Sequence, residues 1–264
     1  MPDDDDARLY HIGFAPTDLP EGADIALLSG DPGRSELIAT EHLDEGRALA
    51  RNRGLDAYLA VLPGGRPVVC ATSGMGAPSM SIVVNELVQA GIRTIIRIGT
   101  SGSIQDDVHI GSVVVAHAAL TNQGAADDIA PPRYPAAADP FLTVALAQAA
   151  ADLGLDHHVG TVASVDTFFE GQERSQSSAN PHLLRRLHGM IDEYAALGVL
   201  SFEMEAGTLL KMGGVYGFAA GCVVGIVAQR TEGEQPKVAE KDAAVDRAVR
   251  TAIRAADGWS TRAG

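Results

Sequence analysis

Two glycine-containing turns, each with an arginine, are the residues of this sequence best suited to bind an anion. An apolar segment at 25–28 runs into Gly30 and Arg34, and a second at 94–98 contains Arg97 and leads to Thr100. An arginine within an apolar segment is costly unless an acid or a ligand meets its charge. Backbone N–H groups at a helix start, with small and hydroxyl residues nearby, can hold a phosphate. We therefore predict an anion site at these turns.

A third turn, at residues 73–79, leads into the clearest helical pattern of the chain. Met80, Val83, Val84 and Leu87 recur at helical spacing, and Gly91 supplies the stop. Each turn alone could be an ordinary turn with a solvated arginine. Three of them at the carboxyl ends of parallel strands favour one shared site, because ligands bind at that edge of an α/β sheet.

The elements that position these turns alternate between short apolar runs and helical patterns, without an intervening linker. This alternation predicts a single α/β domain over residues 1–264. A hairpin signal at 63–66 makes the sheet mixed. We predict strands at 25–28, 57–62, 67–71, 94–98, 112–116, 159–163 and 222–228, and helices starting at 79, 140, 205 and 238. The stretch near Ala125 is predicted to be loop.

Composition narrows the classes of partner. Of 264 residues, 46% are hydrophobic, and 20 Lys plus Arg against 34 Asp plus Glu give a net charge of −14. That sign argues against a nucleic-acid or membrane partner, so bound anions must meet a local cluster of cations. No apolar stretch approaches the roughly 18 residues of a membrane span. Cys70 and Cys222 lie in apolar runs, and we expect a cytoplasmic protein without disulfides.

Six motifs occur along most of the chain. They are HIG at residues 11–13, GDPGR at 30–34, GMGAPS at 74–79, RIGTSG at 97–102, DTFFEGQER at 166–174 and EME at 203–205. With these motifs the chain resembles the nucleoside phosphorylase-I family, and within it the uridine phosphorylase subfamily. The resemblance implies a three-layer α/β/α sandwich around a mixed, twisted sheet. It also implies a homo-oligomer, a hexamer built from dimers, with active sites completed across the dimer interface.

The resemblance assigns phosphate and ribose to residues from two subunits. Implied phosphate contacts are Gly30, Arg34, Arg97, Thr100 and, from the neighbouring subunit, Arg53. Implied ribose contacts are Met204, Glu205 and the neighbour's His11. Because the neighbour supplies part of each site, an isolated monomer should be inactive.

The resemblance also assigns the base. Gln172 and Arg174, in the sequence GlyGlnGluArg, look like the uracil-recognising insertion, with the Gln amide on N3–H and a carbonyl and the Arg on O4. The other residues implied at the base are Ser101, Gly102, Phe168 and Arg230. A surface loop and a core aromatic are the alternative interpretations of the insertion and of Phe168.

The reaction implied is reversible phosphorolysis of a pyrimidine nucleoside, with uridine the predicted substrate. Phosphate attacks C1′ and releases the base and α-ribose 1-phosphate. Arg97, Arg174 and Glu205 are the predicted catalytic residues, because donors must face the base and anions must face the sugar as charge develops. We expect no metal and no organic cofactor, inorganic phosphate being a co-substrate.

Four other functions are alternatives to pyrimidine phosphorolysis. A purine nucleoside phosphorylase or a nucleosidase on the same fold would carry an Asp after the late strand, where this chain has Gln229 and Arg230. A glycosidase pair at Glu203 and Glu205 is disfavoured because residues two apart at a strand-to-helix junction point different ways. A non-catalytic nucleoside-binding protein would have lost a site residue.

Departures from the family pattern leave several points open. Gln229 stands where uridine phosphorylases usually have Asn, and Glu170 stands where the insertion usually has Pro. Gly54 stands where the family has a Glu that helps to bind a monovalent cation at the dimer interface. The sequence therefore leaves open whether such an ion binds at the dimer interface. The sequence does not distinguish among uridine, thymidine, deoxyuridine and a 5′-modified uridine as the substrate. It also does not distinguish a role in salvage from a role in biosynthesis.

Overall fold

The computed structural model describes residues 7–233 and 238–260, and within these ranges nine strands form one mixed sheet. The strands are β1 (Ile25–Ser29), β2 (Asp44–Ala50), β3 (Ala57–Val61), β4 (Pro67–Thr72), β5 (Thr94–Ser103), β6 (Val113–Asn122), β7 (His157–Val165), β8 (Val199–Glu203) and β9 (Ala219–Gln229). The helices are α1 (Pro32–Leu37), α2 (Ala77–Gln89), α3 (Gly124–Ile129), α4 (Pro140–Asp152), α5 (Met190–Ala196), α6 (Ala206–Tyr216) and α7 (Val238–Asp257). The fold is mixed α/β.

The sheet has a parallel centre and a closed end. β1 lies between β4 and β5 and is parallel to both, whereas β3 and β4 form the predicted antiparallel hairpin. The strand order is β2-β3-β4-β1-β5-β8-β7-β6-β9, and β9 also pairs with β5. Strands β5, β8, β7, β6 and β9 therefore close on themselves, an arrangement that the sequence did not predict.

Alternating residues of β1 contact two different hydrophobic clusters. Ile25 and Leu27 belong to a cluster with α4 and α7, whereas Ala26 and Leu28 belong to one with α2 and α6. Side chains alternate between the faces of a strand, so helices cover both faces of the sheet here. The predicted apolar face of α2 is confirmed, since its residues are buried in the second cluster.

Two sequence predictions about local structure are wrong. The turn expected at 97–102 is strand, because β5 continues to Ser103 while pairing with β9 from Arg97 with Cys222 to Ser103 with Gln229. A register shift after Ser101 takes the place of the turn. Ala125, expected in loop, lies in α3. Both errors have one cause, since long-range pairing and packing override local glycine and polar signals.

Strands β2 and β8 and helix α5 had not been predicted. β2 is an edge strand with several exposed polar residues and no clean alternation, and β8 has five residues. None of the helices in the described ranges has the length and apolarity that crossing a bilayer requires.

Candidate active site

The three predicted turn regions lie together at one edge of the sheet. Ser29, the last residue of β1, pairs with Thr72 of β4 and with Ile98 of β5. The Ser73 amide donates to the Ser29 carbonyl at 2.7 Å. A Cβ atom on Gly30 would lie 3.1 Å from the Gly74 carbonyl oxygen, so the backbones approach closely and favour glycine. The prediction that these segments share one edge is confirmed.

These segments border a cavity of about 630 Å³. Predicted site residues that line it are Gly30, Arg34, Arg97, Thr100, Ser101, Gly102, Phe168, Gln172, Arg174, Met204 and Glu205. Its lining also includes residues that the sequence did not single out for this site, namely Asp31, Pro32, Met75, Gly99, Phe202, Glu203, Val227, Ala228 and Lys241.

Arg97 is a buried cation that lines this cavity, with 4% of its surface exposed. Its Nε donates to Glu203 Oε2 at 3.3 Å and its Nη2 donates to Glu205 Oε2. Burial alone lowers the pKa of Arg97, but Glu205 and Glu203 outweigh it and the net shift is upward. The buried Nη1 has no hydrogen-bond partner among the described residues. A donor of this kind needs an acceptor, and Arg97 lines an open cavity.

Glu203 holds Arg97 and the start of α6 in place. Its Oε2 accepts from the amides of Glu205 at 2.8 Å and Ala206 at 2.7 Å, and its Oε1 accepts from Ser164 Oγ. Burial raises the pKa of Glu203 and the Arg97 charge opposes this rise. Both glutamates converge on Arg97, contrary to the expectation that they point different ways. The protein itself uses both oxygens of Glu203, which fits a structural acid.

Arg34 lines the same cavity as Arg97. It belongs to α1, which Asp31 caps by accepting from the Gly33 amide at 2.8 Å. Its Nη1 donates to the Ile98 carbonyl at 3.2 Å. Burial and then the nearby Arg97 charge lower the pKa of Arg34. Two arginines that repel each other across a cavity favour a bound anion between them.

Glu205 and Met204 are fixed by backbone contacts. Glu205 Oε1 accepts from the Gly76 amide at 2.6 Å, which joins the third turn to the end of β8. The Met204 carbonyl accepts from Gln123 Nε2 at 2.6 Å, and Gln123 Oε1 accepts from the Thr208 amide at 3.1 Å. The two residues predicted to contact ribose are therefore held at the N-terminal end of α6.

The other side of the cavity carries an arginine and an amide. Arg174 lies 4.1 Å from the ring centroid of Phe168, and its Nε donates to Gln172 Oε1 at 3.2 Å. Arg174 and Gln172 are both 3% exposed. A fixed cation beside an amide suits a planar ring with adjacent carbonyl and N–H groups.

Arg230 lies behind this pair. Its Nη1 donates to the Gln172 carbonyl at 2.9 Å, and a Cβ on Gly102 would lie 3.1 Å from Arg230 Cγ. Arg230 does not itself line the cavity among the described residues. In this structure it supports Gln172, and its predicted contact with the base stays a prediction.

The chain is similar to known proteins over most of its length. The family model of the phosphorylase superfamily matches residues 24–258. The chain belongs to the phosphorylase superfamily. It is 41% identical over 248 residues to the uridine phosphorylase of Salmonella typhimurium and 40% to that of Escherichia coli, covering 94% of this chain and 96% of each relative. A guanosine phosphorylase of Halorubrum lacusprofundi is 30% identical over 236 residues, 89% of either chain.

Two predicted residues of this phosphorylase-superfamily chain lie away from its own cavity. Among the described residues that line the cavity, neither His11 nor Arg53 is present. His11 Nδ1 lies 2.6 Å from Glu86 Oε1, at the border of a second cavity of about 530 Å³. The Arg53 guanidinium lies 5.7 Å from the ring of Tyr10, and Asn52 Nδ2 donates to the His11 carbonyl at 2.9 Å. Both residues therefore belong to one surface patch.

The residues that the sequence analysis missed reach the cavity by tertiary contacts. Lys241 comes from α7, far along the chain, and lines the cavity together with Val227 and Ala228 of β9. Glu203 had been considered only as one half of a disfavoured glycosidase pair with Glu205. Its one sequence signal is the strand-to-helix junction of the EME motif. Met75 lines the cavity and is 86% exposed, and although it lies in the GMGAPS motif, no role had been assigned to it.

The described residues contain no cluster of three His, Cys, Asp or Glu side chains arranged to hold a metal ion. Gly54 has a φ of +74°, a left-handed conformation that favours glycine. The sequence left open whether a monovalent cation binds near this position, and the expectation that no cofactor is needed stays a prediction.

Proposed function

We propose that this chain catalyses the reversible phosphorolysis of a pyrimidine nucleoside, with uridine the expected substrate. The observation that carries the proposal is the buried Arg97, whose Nη1 has no described partner and which lines a cavity shared with Arg34. The two most similar relatives named above are uridine phosphorylases over nearly the full chain. The sequence similarity and the arrangement of charged side chains in the cavity therefore support the same proposed reaction.

Phosphate is expected to bind between the two arginines. Arg97 Nη1, Arg34, the Gly30 backbone and the Thr100 hydroxyl stand at the same edge of the sheet. A dianion there relieves the repulsion between Arg34 and Arg97, and the buried site strengthens each charge-assisted hydrogen bond. Holding phosphate in place before reaction also removes much of the entropic cost of bringing two reactants together.

The sugar and base are expected to lie across the rest of the cavity. A phosphate oxygen forms a bond to C1′ while the bond from C1′ to N1 breaks, and its electron pair leaves with the base, which then takes up a proton. Positive charge on the sugar is met by phosphate and Glu205. Negative charge on the base is met by Arg174, with Gln172 hydrogen-bonding the ring. No covalent intermediate with the protein is required.

A purine substrate is the second candidate, since one relative is a guanosine phosphorylase. Against it, the residue that ends β9 is Gln229 rather than an acid, and its Nε2 donates to the Gln105 carbonyl at 2.8 Å. An uncharged amide has no acidic proton to transfer to a purine. The alternative of nucleoside binding without catalysis is disfavoured because Arg34, Arg97 and Glu205 all line one cavity and Arg230 supports it.

We also propose a homo-oligomer, a hexamer built from dimers, in which His11 and Arg53 complete the neighbour's site. Their place on one patch outside their own cavity supports this assignment. A three-layer α/β/α sandwich is the proposed description of the fold, supported by clusters on both faces of β1. The proposed location is cytoplasmic, supported by the buried free thiols of Cys70 and Cys222.

The test is incubation of the protein with uridine in the presence and absence of phosphate, with chromatography of the released base. We expect uracil only when phosphate is present, with stoichiometric ribose 1-phosphate. Equal release without phosphate would overturn phosphorolysis. Guanosine and inosine in parallel test the purine candidate, and thymidine, deoxyuridine and a 5′-modified uridine define the pyrimidine specificity.

A further inference from the structure

Glu173 separates the two side chains that the proposed function assigns to the base. Gln172 and Arg174 line the cavity, whereas Glu173 is not among the described lining residues. Its backbone is left-handed, with φ +52° and ψ +39°. This conformation is disfavoured for any residue with a Cβ atom. A non-glycine residue here needs a compensating interaction.

The Glu173 carboxylate makes that interaction with a later part of the chain. Its Oε1 accepts from the Gly189 amide at 2.6 Å, and its Oε2 accepts from the Ile191 amide at 3.1 Å. Both amides lie at the first turn of α5, where backbone donors lack helical partners. Hydrogen bonds to a carboxylate are stronger than neutral ones. Glu173 thus fastens the insertion to α5 at two points.

The left-handed residue is also what brings its neighbours together. The Glu173 amide donates to the Glu170 carbonyl at 3.1 Å, and the Arg174 amide donates to the Phe169 carbonyl at 2.7 Å. This tight reversal lets Arg174 Nε reach Gln172 Oε1 at 3.2 Å while both side chains stay buried. A change of φ at Glu173 would swing Arg174 relative to Gln172.

Helix α5 in turn packs on the strand that leads to the two glutamates. Met190 of α5 and Phe202 of β8 lie in one hydrophobic cluster, and the rings of Tyr194 and Phe202 are 5.9 Å apart. Phe202 itself lines the cavity and precedes Glu203. The bonds of Glu173 therefore fix the base side of the cavity relative to the strand that carries the sugar side.

We propose that Glu173 is a positioning residue for base recognition. It holds Gln172 and Arg174 in their paired arrangement by anchoring a left-handed turn to α5. The inference rests on the proposed function for its kinetic consequence, but the anchor itself is a property of the fold.

Three substitutions separate the two roles of Glu173. Glu173→Gly removes the anchoring carboxylate and permits the left-handed backbone. Glu173→Ala removes the carboxylate but keeps a Cβ atom that disfavours this backbone, and Glu173→Gln keeps one acceptor oxygen. We expect kcat/KM for uridine to fall by about 10- to 100-fold in Glu173→Gly, further in Glu173→Ala and less in Glu173→Gln. The KM for phosphate should stay within about twofold, because Arg34 and Arg97 are untouched.

The matched control is Glu193→Gln, which changes the same charge at an exposed position of α5. Hydrogen–deuterium exchange of peptides covering 189–191 provides a readout independent of substrate. We expect faster exchange in Glu173→Gly than in Glu193→Gln or the unaltered protein. Unchanged exchange, or an equal rise in both KM values, would overturn the positioning role. A lack of uridine cleavage by the unaltered protein would instead overturn the proposed function, and with it the kinetic role.

Discussion

Arg97 donates hydrogen bonds to two buried glutamates, Glu203 and Glu205, and its Nη1 remains available to a ligand in the cavity. Its replacement should damage phosphate binding most. For Arg97→Lys, which keeps a cation beside Glu203 and Glu205, we expect a phosphate KM raised by about 10-fold or more and a lower kcat. For Arg97→Ala we also expect a loss of roughly 3–5 kcal/mol in unfolding free energy, because two buried carboxylates lose their partner.

Steady-state kinetics with varied phosphate, and denaturant unfolding of the same samples, distinguish these effects. Arg250→Lys, at an exposed position of α7, is the control. Normal phosphate kinetics in a destabilised Arg97→Lys protein would make Arg97 a structural ion-pair residue only.

Gln172 and Arg174 act on one ring through side chains that contact each other. Arg174→Ala should lower kcat/KM for uridine by roughly one to two powers of ten, which corresponds to a loss of about 1.5–3 kcal/mol of transition-state stabilisation. Gln172→Ala should lower it by less, because a neutral amide stabilises the departing anion less. The double variant should lose less than the sum of the two. Kinetics of the three variants, with ribose 1-phosphate affinity as the control, provide the measurement. Near-normal kinetics in Arg174→Ala would show that this insertion does not form the base site.

At the scale of elements, the close approach of α7 to β9 depends on a glycine. A Cβ on Gly225 would lie 2.3 Å from the Ala244 carbonyl oxygen, so the helix would have to move away. We expect Gly225→Ala to cost roughly 1–3 kcal/mol of unfolding free energy or more. Thermal unfolding measures this. Gly233→Ala, whose Cβ would meet nothing within 4 Å, should unfold like the unaltered protein, and an equally stable Gly225→Ala would contradict the packing described here.

At the scale of the whole molecule, the patch that holds His11 and Arg53 predicts active sites shared between subunits. Arg53→Ala and Glu205→Gln should each be nearly inactive alone. In a mixed dimer one of the two sites regains all its residues, so roughly half of the sites in a purified mixed dimer, and roughly a quarter of those in a random mixture, should be active. Co-expression with two affinity tags, followed by assay of the doubly purified species, measures this recovery.

The matched control combines His11→Ala with Arg53→Ala. These residues share one patch, so each site of a mixed dimer still lacks one of them, and no recovery is expected. If the pair of Arg53→Ala with Glu205→Gln also failed to recover, Arg53 would act within its own subunit or not at all.

Much of the site could be predicted from the sequence because its signals are local. Glycines beside Arg34 and Arg97 follow or interrupt apolar strands, and parallel strands bring such segments to one edge. The apolar spacing of α2 likewise fixed the face that it buries. The GlyGlnGluArg sequence marked two residues that the structure places 3.2 Å apart, from Arg174 Nε to Gln172 Oε1.

Other features were decided only by the tertiary structure. Pairing of β5 with β9 extends the strand through a predicted turn and closes the sheet. Packing of α7 brings Lys241 to the cavity, and the first turn of α5 anchors Glu173. These contacts join residues far apart in the chain, and their formation depends on the summed packing of many elements. A short sequence pattern does not determine this packing, because the same segment can form a turn or a strand according to the elements that lie beside it.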